Sequence, residues 1–100
     1  MNYSEMSDYE ISCEVGRAIS FADYLLARSE QKNYCNSWAD SGPIIQQNNI
    51  SLLKCERMDS WVAGSSYWVD GAEWSVDWLS DDQNPLRAAM IVFLMMQEAK

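Results

Sequence analysis

The sequence predicts an α+β fold, with a small antiparallel sheet of three to four strands and two to three helices packed on it. Three observations predict this class. Apolar residues follow helical spacing near the start, short strand-like segments fill the middle, and a long apolar helical segment closes the chain. With 100 residues, 48% of them hydrophobic, the chain suits a single domain over 1–100 with one packed core.

The first helix is predicted to begin after Ser7. Ser7 and Glu10 have the spacing of a capping box, in which each residue satisfies the backbone N–H of the other. Beyond them, Ile11, Val15 and Ile19 fall on one helical face. The segment Ser20–Lys32 is less regular, so we expect either an extension of this helix or a packed loop, a linker with partial helix.

A second helical signal lies within Asn33–Ile50. Asn36 is expected to be its N-cap, and Trp38, close behind it, is expected to pack in the core. Pro43 lacks a backbone N–H, so the helix is predicted to kink there or to restart with Pro43 in its first turn.

Strands are predicted in the middle of the chain. Ile50–Cys55 and Met58–Ala63 are short and mostly apolar, and Gly64–Ser66 is interpreted as a turn. Asp70-Gly71 has the composition of a two-residue hairpin turn between strand-like arms. In the second arm, Trp74, Val76 and Trp78 alternate with polar residues, which predicts one apolar face.

The last helix is predicted to start at Asn84-Pro85, a capping residue followed by a first-turn proline. The run Ala88–Met96 is apolar on every side. Such a helix is buried on more than one side, by helices and sheet or, in part, by a second subunit. The run is far shorter than a bilayer-spanning helix.

Charge limits the class of partner. Seven basic residues face fifteen acidic ones, for a net charge of −8 and a pI of about 4.2. Sequence-independent binding of nucleic acid needs a basic surface, so we expect no direct nucleic-acid binding. We expect no membrane association either, because the longest apolar run is too short to span a bilayer. Binding to a basic protein, or imitation of nucleic acid, stays open.

The sequence offers few residues suited to catalysis or metal binding. The chain has no histidine, and Cys13, Cys35 and Cys55 are widely spaced, so no metal or cofactor is predicted. Free thiols and an N-terminus without signal-peptide character indicate a reducing cytosol. Asp70, Glu73 and Asp77 lie close together, but nothing selects a catalytic pair among them. We therefore expect a protein that is not an enzyme.

Three segments carry a family resemblance. Met1–Ile11 reads MNYSEMSDYEI, Asn33–Ile45 reads NYCNSWADSGPII, and Asn84–Glu98 reads NPLRAAMIVFLMMQE. Together they cover about forty residues, and they resemble the NinX-like family of small proteins from lambdoid and related tailed bacteriophages. The order of elements is also similar to the layout of phage α-β-α sandwich proteins. The resemblance implies a phage accessory protein in the host cytoplasm, and it brings no catalytic residues.

A ligand site is predicted around Arg87, a cation in the first helical turn, where the helix dipole disfavours it. One interpretation is an ion pair with Asp81, Asp82 or Asp40. The other is an anion site, in which the guanidinium and free helix amides hold a phosphate. The ligand-binding candidates are Asn84, Arg87, Trp38, Asp40 and Asn36.

A protein interface is predicted on the tryptophan-rich hairpin. Six acidic residues and no Lys or Arg lie from Asp59 to Asp82, which indicates either a solvated face or a docking surface for a basic protein. The aromatic residues fit either core packing or an exposed anchor. The interface candidates are Trp61, Tyr67, Trp68, Trp74, Asp70 and Glu73.

Two functions follow as hypotheses. The first is a non-catalytic protein that sequesters a nucleotide-like or phosphorylated small molecule, for example a bacterial immune signal, as counter-defence. Such a protein would be a homo-oligomer with sites at subunit boundaries. The alternative is an acidic protein–protein inhibitor of a host nucleic-acid-binding protein or nuclease.

Overall fold

The computed structural model describes residues 2–69, 71 and 73–99, with the backbone alone at residues 67–69 and 73–74. Its elements follow in chain order: a short 3-10 helix Tyr3–Glu5, α1 Asp8–Ile19, α2 Phe21–Arg28, α3 Trp38–Gln47, β1 Ile50–Cys55, β2 Ser60–Val69, β3 Glu73–Asp82 and α4 Pro85–Glu98. The three strands form one antiparallel sheet in the order β1-β2-β3. The predicted α+β class is confirmed.

The molecule is arranged in layers around α4. This helix contacts all three strands on one side and α1 and α3 on the other, while α2 packs on α1. Ala88, Ala89, Met90 and Val92 are 0% exposed. The prediction that the last helix is enclosed on several sides is confirmed, and its enclosure comes from elements of the same chain. Within the described part of the chain, no helix has the length and apolarity needed to cross a membrane.

The capping box at the start of α1 is confirmed. Glu10 donates its backbone N–H to Ser7 Oγ at 3.1 Å, and Ser7 donates its own to Glu10 Oε1 at 3.0 Å. Ser20 then ends α1 and caps α2, because its hydroxyl accepts from the backbone of Asp23 at 3.1 Å. The segment Ser20–Lys32 is therefore partly helical, as expected, but Phe21–Arg28 form a separate helix with its own serine cap rather than an extension of α1 or a loop.

The start of α3 differs from the prediction by one residue. Ser37, not Asn36, is the N-cap, and its hydroxyl accepts from the backbone of Asp40 at 3.4 Å. The helix runs from Trp38 to Gln47 with Pro43 inside it, so the predicted restart at Pro43 is wrong. Trp38 is 58% exposed, which corrects its expected place in the core.

The central strand is longer than predicted. β2 continues through Gly64–Ser66, so the turn expected there is wrong. Ala63 pairs with Ser80 and Ser65 pairs with Asp77, which leaves Gly64 opposite two residues of β3, a bulge. A Cβ on Gly64 would clash with the Val76 side chain, so the strand tolerates only glycine there without rearrangement.

The predicted hairpin arms form, since β2 and β3 pair antiparallel up to Val69 and Glu73. Gly71 has φ of +89°, in keeping with the expected turn, but Asp70 lies outside the described residues. The predicted alternation fails at the bulge. Trp78 has φ of +50° and is 38% exposed, because the extra residue there rotates it out of register.

Candidate functional site

Arg87 is held by four hydrogen bonds, and its side chain is 12% exposed. Its Nε donates to Asp82 Oδ2 at 3.1 Å, and one terminal nitrogen donates to Asp8 Oδ1 at 2.7 Å. The other terminal nitrogen donates to the carbonyls of Tyr3 at 3.2 Å and Met6 at 2.6 Å. Of the three predicted ion-pair partners, Asp82 is present. Asp8, from the other end of the sequence, was not foreseen.

The N-terminus of α4 is closed by its own cap. Asn84 Oδ1 accepts from the backbone N–H groups of Leu86 at 2.9 Å and Arg87 at 3.3 Å, and Pro85 has no N–H to offer. An anion here would have to displace both this cap and the two carboxylates on Arg87. The geometry therefore favours the ion-pair interpretation of Arg87 over the phosphate site.

Asn84 and Asn36 join two distant segments at this point. The Asn84 side-chain amide donates to the Cys35 carbonyl at 2.7 Å and to Asn36 Oδ1 at 3.2 Å. Asn36 donates in turn to Asp8 Oδ2 at 3.3 Å. These contacts join the loop before α3 to the start of α4, and we name this cluster of Asn84, Asn36 and Arg87 the α4 junction. Ligand binding by its residues stays a prediction.

Trp38 and Asp40 are not brought to Arg87. Trp38 lies exposed in the first turn of α3. Asp40 accepts the backbone N–H of Asn33 at 2.9 Å through Oδ2 and lines a separate depression. The predicted ligand residues therefore do not form one site: Asn84, Asn36 and Arg87 meet at the α4 junction, Asp40 lines a second location, and Trp38 belongs to neither.

That second location is a groove of about 460 Å³ between helices, which we name the interhelical groove. The end of α1 and the start of α2 form one wall, α3 forms the other, and α4 contributes Phe93 and Gln97. Ile44 and Pro43 of α3 add apolar surface. Gln47, Asn48 and Gln97 add side-chain amides, each of which can donate and accept hydrogen bonds.

Four side chains give the interhelical groove its charge and aromatic character. Lys32 Nζ donates to Asp23 Oδ1 at 2.8 Å, and this hydrogen bond lowers the pKa of Asp23 and raises the pKa of Lys32. The ammonium lies 5.8 Å from the centre of the Tyr34 ring. Burial raises the pKa of the Tyr34 hydroxyl. Asp40 supplies a second carboxylate.

Sequence reasoning found Asp40 but missed Lys32, Tyr34 and Asp23. The available signal was the Ser20–Asp23 capping pattern, which would have placed Asp23 at the start of a helix. Nothing local marks Lys32 and Tyr34, because the groove forms only when four helices and a connecting loop assemble.

The predicted interface residues are described only in part. Trp61 is half-buried, with Lys54 Nζ 5.7 Å from its ring centre. The side chains of Tyr67, Trp68, Trp74 and Glu73, and all of Asp70, lie outside the described residues. Leu53 and Leu79, each 58% exposed, do lie on the sheet, and their exposure was not predicted.

Groups for catalysis are sparse in the described part of the chain. No cluster of three His, Cys, Asp or Glu side chains there could hold a metal ion. Burial raises the pKa of the Cys35 thiol to about 12, so this cysteine is protonated at neutral pH. The carboxylates Asp70 and Glu73 lie outside the described residues.

The fold and this groove define a small acidic α+β domain with a polar depression between its helices. A family model described as Bacteriophage P22, NinX matches residues 2–97, and the chain belongs to this phage protein family. The resemblance seen in the sequence is thereby confirmed over nearly the whole chain. Comparisons of this chain with the curated proteins and with the solved structures found no match.

Proposed function

We propose that this phage accessory protein acts in the cytoplasm of the infected bacterium as a non-catalytic binding protein. It sequesters a nucleotide-like small molecule, such as a host defence signal, in the interhelical groove. Family membership supports the phage setting. The groove is the observation that carries the binding role.

The dimensions and lining of the groove suit such a ligand. Its volume of about 460 Å³ falls in the range of small-molecule sites. Apolar surface from Ile44 and Phe93 suits a planar base, and the neighbouring amide side chains suit its polar edge. The combination of apolar surface with a few convergent polar groups is typical of ligand pockets.

The groove replaces the start of α4 as the proposed ligand site. Arg87 already uses four N–H groups on protein acceptors. Lys32, by contrast, is 34% exposed and lines open space. The groove is also built from one chain, so binding there does not require the oligomer that we predicted.

A non-catalytic role fits the available groups. The chain has no histidine to act as a general base. Cys13 and Cys35 are buried, and neither lines the interhelical groove. Sequestration needs a binding site but no catalytic group.

Calorimetry with ribonucleosides, mononucleotides and cyclic mononucleotides tests this function. The Ala39→Trp variant fills the groove from an exposed position on α3, whereas Ala22→Trp places the same side chain on an exposed position of α2 outside the groove. We expect binding to wild type and to Ala22→Trp, and its loss in Ala39→Trp. Folded wild-type protein that gives no heat with any of these compounds would contradict the proposal.

A second candidate, an acidic inhibitor of a basic host protein, is favoured by the charge distribution. Among the described residues, ion pairs within the chain engage Arg17, Lys32, Lys54 and Arg87. The surface charge is therefore set mainly by exposed carboxylates such as those of Asp77 and Asp81.

A pull-down from host lysate at low and high salt separates this candidate from the first. A basic partner that is retained at low salt and released at high salt would support it. The Asp77→Asn, Asp81→Asn double variant should weaken that capture, and recovery of no basic protein would argue against it.

A further inference from the structure

We infer that the interhelical groove selects ligands carrying a single phosphate charge, such as a cyclic mononucleotide, over nucleoside triphosphates. This inference rests on the proposed function and names the ligand class of the same site. It is drawn from the charges that line the groove.

The balance of charge in the groove is negative. Asp23 and Asp40 contribute carboxylates, and Lys32 contributes the one cation among its lining residues. Lys32 is the partner of Asp23 at 2.8 Å, so the pair is close to neutral and Asp40 remains uncompensated. Each phosphate charge beyond the first would meet carboxylates rather than cations, and like charges at short range repel.

Lys32 is positioned to take one anionic oxygen. An ammonium has three N–H donors, and the contact with Asp23 uses one. The Lys32 side chain is 34% exposed, so the remaining donors can reach a ligand. The Tyr34 ring at 5.8 Å and the Asp23 carboxylate hold the ammonium in place, which limits the entropy lost on binding.

Asp40 is positioned to take donors from the ligand. Its Oδ2 accepts from the backbone of Asn33 at 2.9 Å, and Oδ1 has no partner among the contacts of the described residues. A carboxylate only accepts hydrogen bonds when ionised, so it selects hydroxyl or amino groups. Ribose hydroxyls and the exocyclic amino group of a base supply them.

These groups together specify a complementary ligand. A base covers the apolar surface of Ile44 and Phe93, its amino or sugar hydroxyl groups reach Asp40, and one phosphate oxygen reaches Lys32. A cyclic phosphodiester carries a single negative charge, the smallest that a phosphate ligand can bring to this negative groove, and the free N–H donors of Lys32 can bind one of its oxygens. A triphosphate carries at least three, so its extra charge is repelled.

Isothermal titration calorimetry with the four ribonucleosides, their cyclic monophosphates and their triphosphates tests the inference. We expect the best cyclic monophosphate to bind at least about tenfold more tightly than the matching triphosphate. Lys32→Gln should reduce the affinity of the cyclic compound to that of the nucleoside. Asp40→Asn should weaken nucleoside and cyclic compound alike by about tenfold, whereas Asp81→Asn, which removes the same charge from the sheet, should leave both unchanged.

The outcomes separate this inference from the proposed function. If triphosphates bind more tightly than cyclic monophosphates, and Ala39→Trp abolishes that binding, the function stands and the inference is overturned. If Asp40→Asn and Asp81→Asn have equal effects, the inference is also overturned. If no compound binds to folded wild-type protein, the proposed function fails and the inference with it.

Discussion

Arg87 joins parts of the molecule that are remote in sequence. Its guanidinium reaches Asp8, Met6 and Tyr3 near the N-terminus and Asp82 at the end of β3. It is thus the point at which the first segment of the chain is fastened to the start of α4. A charge at this helix terminus is tolerated because two carboxylates and two carbonyls offset the unfavourable helix dipole.

Removing this side chain should therefore be costly. We expect Arg87→Ala to lower the free energy of unfolding by about 3 kcal/mol, since it strands two carboxylates and two carbonyls that are partly buried. Arg57→Ala, in the exposed turn after β1, should change it by less than about 0.5 kcal/mol. Urea unfolding of both variants measures the difference, and equal stabilities would contradict a structural role for Arg87.

Cys35 predicts a pH dependence. Burial raises the pKa of its thiol from 9.0 to about 12, so above pH 9 the unfolded chain loses this proton while the folded chain keeps it. The stability contributed by this group is fully present below pH 9 and is lost as pH rises toward 12. The free energy of unfolding should fall by up to about 1.4 kcal/mol per pH unit in this window.

The Cys35→Ala variant checks this origin. Its absolute stability changes at every pH, so the slope against pH is the quantity to compare. Buried Tyr34 also has a raised pKa and adds to the fall at higher pH, so the comparison belongs between pH 9 and 10, the ordinary pKa values of Cys and Tyr. Urea midpoints of wild type, Cys35→Ala and, as a second thiol variant, Cys55→Ala provide the data. An unchanged slope in Cys35→Ala would refute the assignment.

At the scale of the elements, two helical glycines have opposite surroundings. A Cβ on Gly16 of α1 would lie 2.7 Å from the Asp23 carbonyl oxygen in the backbone of α2, whereas a Cβ on Gly42 of α3 would meet nothing within 4 Å. Gly16 therefore allows α1 and α2 to approach closely. Gly42 packs against no other element, but it precedes Pro43, whose ring disfavours a helical conformation for a preceding residue that carries a Cβ.

Alanine substitutions at the two sites should differ in their effect on stability. Both gain helix propensity, worth about 0.5–1 kcal/mol in a helix interior. In Gly42→Ala the ring of Pro43 opposes that gain, so stability should change by less than about 1 kcal/mol, whereas Gly16→Ala should lose about 1–3 kcal/mol because backbone atoms must move. Thermal unfolding followed by circular dichroism measures both. A stabilised Gly16→Ala variant would show that the α1–α2 contact is not tight.

Elements marked by neighbouring residues in the sequence could be predicted, whereas elements that depend on tertiary contacts could not. The caps of α1 and α4 are local side-chain patterns, and both were predicted correctly from Ser7–Glu10 and Asn84-Pro85. The helix α2 was expected only as partial helix within a linker, because its exposed residues, such as Phe21 at 73% and Leu25 at 48%, do not follow a buried stripe. The bulge at Gly64 was predicted as a turn because glycine and serine are common turn residues. Gly64 is needed there because β3 lies too close for a Cβ, and no local pattern reveals that contact.

At the scale of the whole molecule, the same limit applies to the candidate site. The sequence predicted that Asn84 and Arg87 matter at the start of α4, but it did not predict that Asp8 binds Arg87, because these two residues meet only in the tertiary fold. The interhelical groove draws residues from all four helices and the loop before α3. Its Asp40 was the one predicted ligand residue that lines it, and its charge balance could be assessed only once Asp23 and Lys32 were placed beside each other.

Net charge gives a prediction for the molecule as a whole. The chain carries −8. Of the five ion pairs among the described residues, the three of Arg17, Lys32 and Lys54 join side chains that are each at least 20% exposed. Exposed pairs contribute little, whereas a large surplus of one sign destabilises the compact state by self-repulsion. Screening should therefore weaken the repulsion more than it weakens the attractions. Raising NaCl from low to moderate concentration is expected to increase stability.

We expect the gain to be about 1 kcal/mol, or roughly 4–8 °C in the unfolding midpoint of a domain this size. The double variant Asp77→Asn, Asp81→Asn removes two exposed carboxylates from β3, so it should be more stable than wild type at low salt and respond less to added salt. Calorimetric unfolding across a salt series measures both quantities, and Arg87→Ala provides the opposite control because it raises the surplus of negative charge. A fall in wild-type stability on adding salt would mean that the ion pairs, led by that of Arg87, outweigh the repulsion of the carboxylate surplus.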